Sequence, residues 1–576
     1  VLKRIVLGLV LLFTGACDQH EAAEPSPVAV RRPNLLLVIA DDLGYSELGL
    51  TGSEVETPHI DALARSGVFL TNFHVAATCS PTRSMLMTGV DNHRNGLGNM
   101  GEFLTEAQQG QPGYEGYLNR RVATVAEILS ADGYVTSFSG KWHLGTKAGQ
   151  RPHDRGFGVS LALLGGAADA WSARGPSPRL PTMAFSRDGE LTPRPDGVFA
   201  DSWYTDHLLA FLGSQASRDR PFFSVLSFQG VHWPHHAPAH WLEGRAEKYR
   251  EGWEALRAAR HARSSESGLA DPIPLPRDPD GYPSWNSLSA EEREIEAHRM
   301  AAHSAMVANL DHETGRVLEM LRRQNRLDDT LVIFVSDNGP DPSEPDRFPG
   351  ASDWYAEQYP RRAAEELGGP GSFPSYGLGW ATAGAASLRD HKGTAAEGGL
   401  RVPLIVSYPR EVAGGWQTGA FGFATDIAAT LLDAAGALDA ADALEPAGAK
   451  LPESAAAVST LHPLDGRSLM PLLLGEVDRV YGPDEPVAYQ LMKNGALFLG
   501  DYKIVHNGPP TGDGQWRLFD LRKDPGEQND LASSEPERLT TMKRLYDDWT
   551  QEYGVIPMPN DYDVMRALTD PRAGRP

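Results

Sequence analysis

The chain is poor in cysteine, with Cys17 and Cys79 the only two in 576 residues. That is too few for a disulfide framework, so this is not a small stapled module. Positive charge is also scarce. The 53 Lys plus Arg against 76 Asp plus Glu leave a formal charge of -23, which excludes a long nucleic acid as the natural partner. Any anion it binds must be held by a local positive pocket. Near the N-terminus the apolar run IVLGLVLLF is too short to span a bilayer, and no internal repeat is visible. What the chain has is length and 41% hydrophobic content, enough to bury the core of one large domain plus a smaller one.

Lys3 and Arg4, the apolar run and Thr14-Gly15-Ala16-Cys17 read as a secretory signal over residues 1–17, ending in a lipobox-like site with Thr14 where Leu is usual. Two outcomes stay open: a lipid anchor through Cys17 on a bacterial membrane, or a cleaved signal and a soluble product. Either way the expectation is export, as a periplasmic protein or a membrane-anchored lipoprotein. Val1 in place of Met is what an alternative start codon would leave. Residues 18–32 are polar and Pro-rich, as suits a linker. After processing, Cys79 is the only other thiol. A lone Cys is ordinarily a small buried hydrophobe, but this one precedes Pro81 and Arg83 in a polar segment.

The short apolar runs Asn34 to Ala40 and Leu331 to Val335 suit strands buried on both faces of a parallel sheet. Further strands are expected at 133–139, 222–228 and 403–408, with helices at 122–131 and 291–326. Strands alternating with helices argue for a layered α/β domain over 33–460. Pro- and Gly-rich insertions near 172–200, 260–290 and 340–380 are candidates for substrate selection. Composition shifts at about 437–465. Short β-like runs follow at 487–490, 496–499, 502–506 and 516–520, with Asn494-Gly495 as a hairpin signal and an amphipathic helix around 536–553. These predict a small antiparallel C-terminal subdomain over 461–576.

In open α/β sheets ligands collect at the carboxyl ends of strands, and the first two runs end in Asp41-Asp42 and in Asp337-Asn338. These four make an all-oxygen set of the kind a hard divalent cation chooses, calcium or magnesium in preference to zinc. Either pair alone would read as a strand-end cap or a surface turn.

Four segments and the two acidic pairs then carry a resemblance. They are the run CSPTRSMLMTG from Cys79, with its C-x-P-x-R core; Gly140 to Gly145, GKWHLG; GVHWPHHAP around His232; Asp390 to Gly399, DHKGTAAEGG; and the two acidic pairs. From about residue 33 onward the chain resembles the type I, formylglycine-dependent sulfatases of the alkaline-phosphatase-like superfamily, and looks most like bacterial arylsulfatases. One departure is that Val90 stands where the longer signature usually carries Arg.

The resemblance implies a large, mostly parallel central sheet sandwiched by helices, with the small C-terminal antiparallel sheet and helix beside it. It implies that a formylglycine-generating enzyme, reading the unfolded motif, oxidises Cys79 to formylglycine. One hydroxyl of the hydrated aldehyde would attack sulfur, giving a covalent sulfo-enzyme, and the other would expel sulfate. Asp41, Asp42, Asp337 and Asn338 would be metal ligands, with residue 79 completing the shell around one cation, calcium or magnesium. A sulfate ester needs positive charge on its non-bridging oxygens and a proton for its leaving group. On the match, Lys141 and Lys392 would hold the sulfate, and His232 would stand near the leaving oxygen. His143 would take the proton from residue 79, and Arg83 would stay close to residue 79 and stabilise the developing oxyanion. His235 and His236 are expected on the surface or the substrate rim, and His303 and His312 on a helix face. His74 is left unassigned.

The function expected is hydrolysis of a small-molecule sulfate ester, an aryl sulfate, to a phenol or alcohol plus sulfate. Two alternatives stay open. A phosphonate monoester or phosphodiester hydrolase could use the same site, and a lipid-tethered protein could merely capture anions, with Cys79 unmodified.

Overall fold

The computed structural model describes residues 32–266, 274–279, 281–348, 351–438 and 461–564. The signal and lipobox at 1–17, Cys17, all but the end of the 18–32 linker, and the 460/461 boundary lie outside these residues.

Asn34–Ala40 is a strand with every residue buried. Leu35, Leu37 and Ile39 enter one core, while Leu36, Val38 and Ala40 enter another. The run is continuously apolar because both faces of the sheet are covered. Five strands run parallel at its centre, in the order Thr330–Ser336, Asn34–Ala40, Phe222–Ser227, Val135–Lys141, Val159–Leu163. Arg401–Ser407 lies antiparallel between Thr330–Ser336 and Val68–His74. Shorter strands extend the sheet to eleven. Helices Cys79–Thr88, Val125–Ala131 and Asp426–Ala434 cover one face. Pro58–Ser66, Ala200–Leu212 and Ala290–Arg323 cover the other. This is the mostly parallel, helix-sandwiched α/β sheet that the sequence predicts.

Element ends differ from expectation for local reasons. The helix expected from 122 starts at Val125, because Thr124 caps it: its hydroxyl accepts from Glu127 N at 3.0 Å while Glu127 Oε2 accepts from Thr124 N at 2.8 Å, a reciprocal pair that fixes the first turn. The long helix begins after the equivalent Ser289–Glu292 box and ends at Arg323, just before Asn325 turns left-handed at φ 54°. The strand expected to end at Ser139 runs on to Lys141.

Pro486–Leu491, Asn494–Leu499, Tyr502–His506 and Arg517–Asp520 form an antiparallel sheet in that order. The turn lies two residues before the Asn494-Gly495 signal: Leu491 pairs with Asn494, so the turn is Met492-Lys493, with Met492 at φ 56°. Gly495 is glycine for a different reason, since a Cβ there would collide with the Tyr546 hydroxyl. One face of this sheet joins the first core through Tyr489, Phe498 and Phe519. The other packs under helix Pro536–Glu552 through Leu497, Ile504, Met542 and Tyr546. An ionic knot adds to the seam. The fully buried Lys503 Nζ stands 2.8 Å from Glu397 Oε1 and 2.9 Å from Glu527 Oε1, and Glu397 also meets His74 Nε2 at 3.0 Å. The described residues from Pro33 onward form one compact unit, and no helix among them is long and apolar enough to cross a membrane.

Candidate active site

Ala40 and Ser336 pair in register, so the residues that follow them arrive together. Asp337 N donates to Ala40 O at 3.1 Å, and Asp42 N to Asp337 Oδ1 at 3.2 Å. Lys141 and Ser227 end two neighbouring parallel strands at the same edge. Cys79 is the first residue of helix Cys79–Thr88 and is buried, where unpaired helix N–H groups favour negative charge.

The carboxylates of Asp41, Asp42 and Asp337 and the Cys79 sulfur all lie within 4.8 Å of one another. Burial, and repulsion between these groups, push Asp41 well above the usual carboxylate range and Asp42 up to about 6, against the pull of Lys141 and Lys392 respectively. Asp337 is also desolvated, yet it is held below the ordinary range because Arg83 stands beside it. Burial likewise pushes the Cys79 thiol up, although Lys141 and Lys392 oppose it, so the free cysteine is no ready thiolate.

Three acceptors in this cluster, Asp41 Oδ1, Asp42 Oδ2 and Asn338 Oδ1, are buried with no hydrogen-bond partner. Buried oxygens seldom stay unmatched. Three from one set fit a hard divalent cation, which would also relieve the repulsion. Asp42, Cys79 and His232 form a second compact group, but the orphaned atoms favour the oxygen set.

Cations surround the acids. Lys141 Nζ is 2.6 Å from Asp41 Oδ2. Lys392 Nζ bridges Asp42 Oδ1 at 2.6 Å and Asp341 Oδ2 at 3.0 Å. Both lysines are desolvated, but their carboxylate partners raise them and keep them charged. Arg83 is saturated on one side: Nε holds Asp337 Oδ2 at 2.7 Å, and Nη1 donates to Lys141 O at 2.8 Å and Ser227 Oγ at 2.5 Å. Its Nη2 lies 3.6 Å from Asp41 Oδ1.

His232 Nδ1 lies 2.6 Å from Trp233 O and can donate to it, leaving Nε2 3.7 Å from Asp42 Oδ2. Burial, then the field of Lys392 and Lys141, holds this imidazole well below its usual range, hence neutral. His143 Nε2 is 3.0 Å from Glu102 Oε1.

The expectation for His235 and His236 fails. Both are buried, because the segment turns inward: His235 packs edge-on against His303 and Tyr376, and His236 Nε2 meets Ser372 O at 2.8 Å. On the long helix His303 is buried against Glu47 Oε1 at 2.8 Å, while His312 is exposed.

Residues 79, 143, 232 and 392 open onto a cavity of about 630 Å³. Its walls include Phe103, Leu180, Met183, Trp233, Met492 and Tyr562, the last two from the C-terminal part. Sequence reasoning missed these and three polar supports. Asp341 also accepts Trp233 Nε1 at 2.9 Å, Glu102 backs His143, and Ser227 backs Arg83. Asp341, four residues beyond Asp337, was within reach of inspection, whereas no spacing announces Glu102.

Residues 33–437 match the sulfatase family model. An uncharacterised sulfatase of Schizosaccharomyces pombe is 34% identical over 92% of this chain and 96% of its own length. An arylsulfatase of Klebsiella aerogenes is 32% identical over 70% of this chain and 87% of its own. Among solved structures, Ps i-CgsB in complex with k-i-k-neocarrahexaose superposes with a TM-score of 0.61 at 21% identity, covering 91% of this chain and 94% of that one.

Proposed function

The chain belongs to the sulfatase family and is a sulfuric ester hydrolase; within that class we propose that it cleaves aryl sulfates, using residue 79 as formylglycine and one divalent cation. The observation that carries this is the meeting of Cys79 with two buried, charged lysines at an acidic cluster whose oxygens are partly unmatched. The aryl reading is supported by the apolar side chains Phe103, Leu180, Met183, Trp233 and Met492 on the walls of the cavity at residue 79, which suit a flat apolar leaving group.

Lys141 and Lys392 bind the sulfate oxygens and offset the charge that builds on them. Asp41, Asp42, Asp337 and Asn338 would hold the cation, calcium or magnesium, which would add Lewis-acid polarisation of the sulfate. Oxidised and hydrated, residue 79 supplies an oxygen nucleophile and a second hydroxyl through which sulfate can leave. His232, neutral in the free site, gains a proton as the anionic ester offsets the lysine field, and gives it to the leaving oxygen. His143 accepts a proton from residue 79. Arg83 locks Asp337 and the Lys141 backbone in place beside them.

We further infer export, anchored by lipid on Cys17 or released after cleavage, from residues 1–17. A mass measurement on the mature N-terminus separates the two.

The decisive test is the mass of the residue-79 peptide from protein made in its own host, followed by aryl sulfate, alkyl sulfate, phosphonate monoester and phosphodiester assays on that preparation. Formylglycine with aryl sulfate turnover is expected. Unmodified Cys79 with no ester turnover would point to an anion-binding protein, and faster phosphonate or phosphodiester cleavage to a different hydrolase.

A further inference from the structure

Glu102 belongs to none of the sequence motifs, yet it stands at the reacting end of the site. Its Oε1 lies 3.0 Å from His143 Nε2. Both residues line the cavity that contains Cys79 and an adjoining one of about 650 Å³. The pair is held from both sides. Glu102 sits in the short turn Gly101–Phe103, and its carbonyl accepts Arg179 Nη1 at 3.1 Å. The imidazole rests against Gly166, where a Cβ would come within 2.8 to 3.3 Å of ring atoms. The other ring nitrogen, His143 Nδ1, is buried without a hydrogen-bond partner.

Although burial opposes ionisation, the adjacent imidazole holds Glu102 down to about 2, so near neutrality it is a carboxylate. An ionised carboxylate can only accept. The Nε2 that faces it must therefore carry a hydrogen, and whenever the ring holds a single proton the lone pair falls on Nδ1.

We propose that Glu102 is a positioning residue for hydrolysis: it fixes His143 as the Nε2–H tautomer, makes Nδ1 the proton acceptor, and supplies the counter-charge when the ring becomes imidazolium. The proposal rests on the sulfatase reading for what His143 does. The proton comes from the free hydroxyl of sulfated residue 79, whose O–H electrons form the aldehyde C=O as the C–O bond to sulfate breaks and sulfate leaves; the proton resides on Nδ1 while Glu102 balances its charge, and passes to water when the ring is restored. No other bond at His143 changes.

The test begins with 15N-histidine NMR on the full chain with Cys79 unoxidised, where maturation is not needed; His143 signals are identified by their loss in His143→Gln. The native protein should show a protonated Nε2 and an unprotonated Nδ1. Glu102→Gln should lose that bias, because an amide can donate to Nε2 as readily as accept from it, and Glu102→Asp should restore it. On matured protein Glu102→Gln should lower kcat about 100-fold, with part regained in Glu102→Asp. Should Glu102→Gln fail to fold, Gly166→Ala gives a second variant, since its Cβ would come within 3.0 Å of Nε2 and must disturb the geometry that Nε2 makes with Glu102. A native Nδ1–H tautomer, or an unchanged tautomer and kcat in the variants, overturns the proposal. Failure of matured native protein to turn over any sulfate ester would instead strike the functional reading, leaving the tautomer result to stand by itself.

Discussion

Lys392 spans Asp42 and Asp341, so its side chain is placed before any substrate arrives. Lys392→Ala should lower kcat/KM by at least 100-fold on the proposed role, and it should weaken product inhibition by inorganic sulfate in the same assay. Unchanged inhibition would remove this residue from sulfate binding. His232→Ala should act through the leaving group: the loss should be larger for phenyl sulfate than for 4-nitrophenyl sulfate, whose departing oxygen needs a proton less. Equal losses on both would point to a positioning role. The unmatched oxygens of Asp41, Asp42 and Asn338 predict that chelation lowers the melting temperature and that calcium or magnesium restores it. Asp337→Ala should abolish that response, which calorimetry on unmatured protein can read without any activity.

At the level of elements, the seam between the two sheets depends on Lys503, whose charge is wholly enclosed by Glu397 and Glu527. Lys503→Met should cost about 3–5 kcal/mol in urea unfolding, because it removes the one cation shared by two buried carboxylates and leaves Glu397 with Arg401 at 3.7 Å and Glu527 with Arg389 at 3.2 Å. A loss below about 1 kcal/mol would mean that water or neighbouring cations replace the lysine. The parallel strands were legible because a strand covered on both faces must be apolar along its length, as 35–40 and 331–335 are. The two acidic pairs were legible for a related reason, since strand ends at one edge share a ligand site. The Met492-Lys493 turn was not, because Gly495 mimics a turn glycine while serving the packing of Tyr546. Nor was helix Cys79–Thr88: its ten residues are all buried, so no polar face gives it a period. Glu102 and Asp341 meet His143 and Lys392 only through folding, and His235 and His236 looked like rim residues because nothing local shows that their segment turns inward.

For the molecule as a whole, acid should act through buried neutral histidines. Burial, aided by Lys543, lowers His506 to about 4, below its ordinary value of about 6.5. The unfolded chain then binds the proton first, so this contribution is complete above pH 6.5 and is lost as pH falls from 6.5 to 4. Denaturant unfolding of native protein and His506→Gln at pH 7.5 and 4.5 should show the gap between them narrowing by about 2–3 kcal/mol at the lower pH. A constant gap would mean that His506 titrates normally. Cys79, at 1% exposure inside a packed helix, has a consequence of another kind. Under the proposed maturation, oxidation has to happen during synthesis, before that helix packs. Each molecule would then be born competent or inert and stay so, and the active fraction of a population would be a lasting record of how much oxidising capacity the cell had when the chains were made.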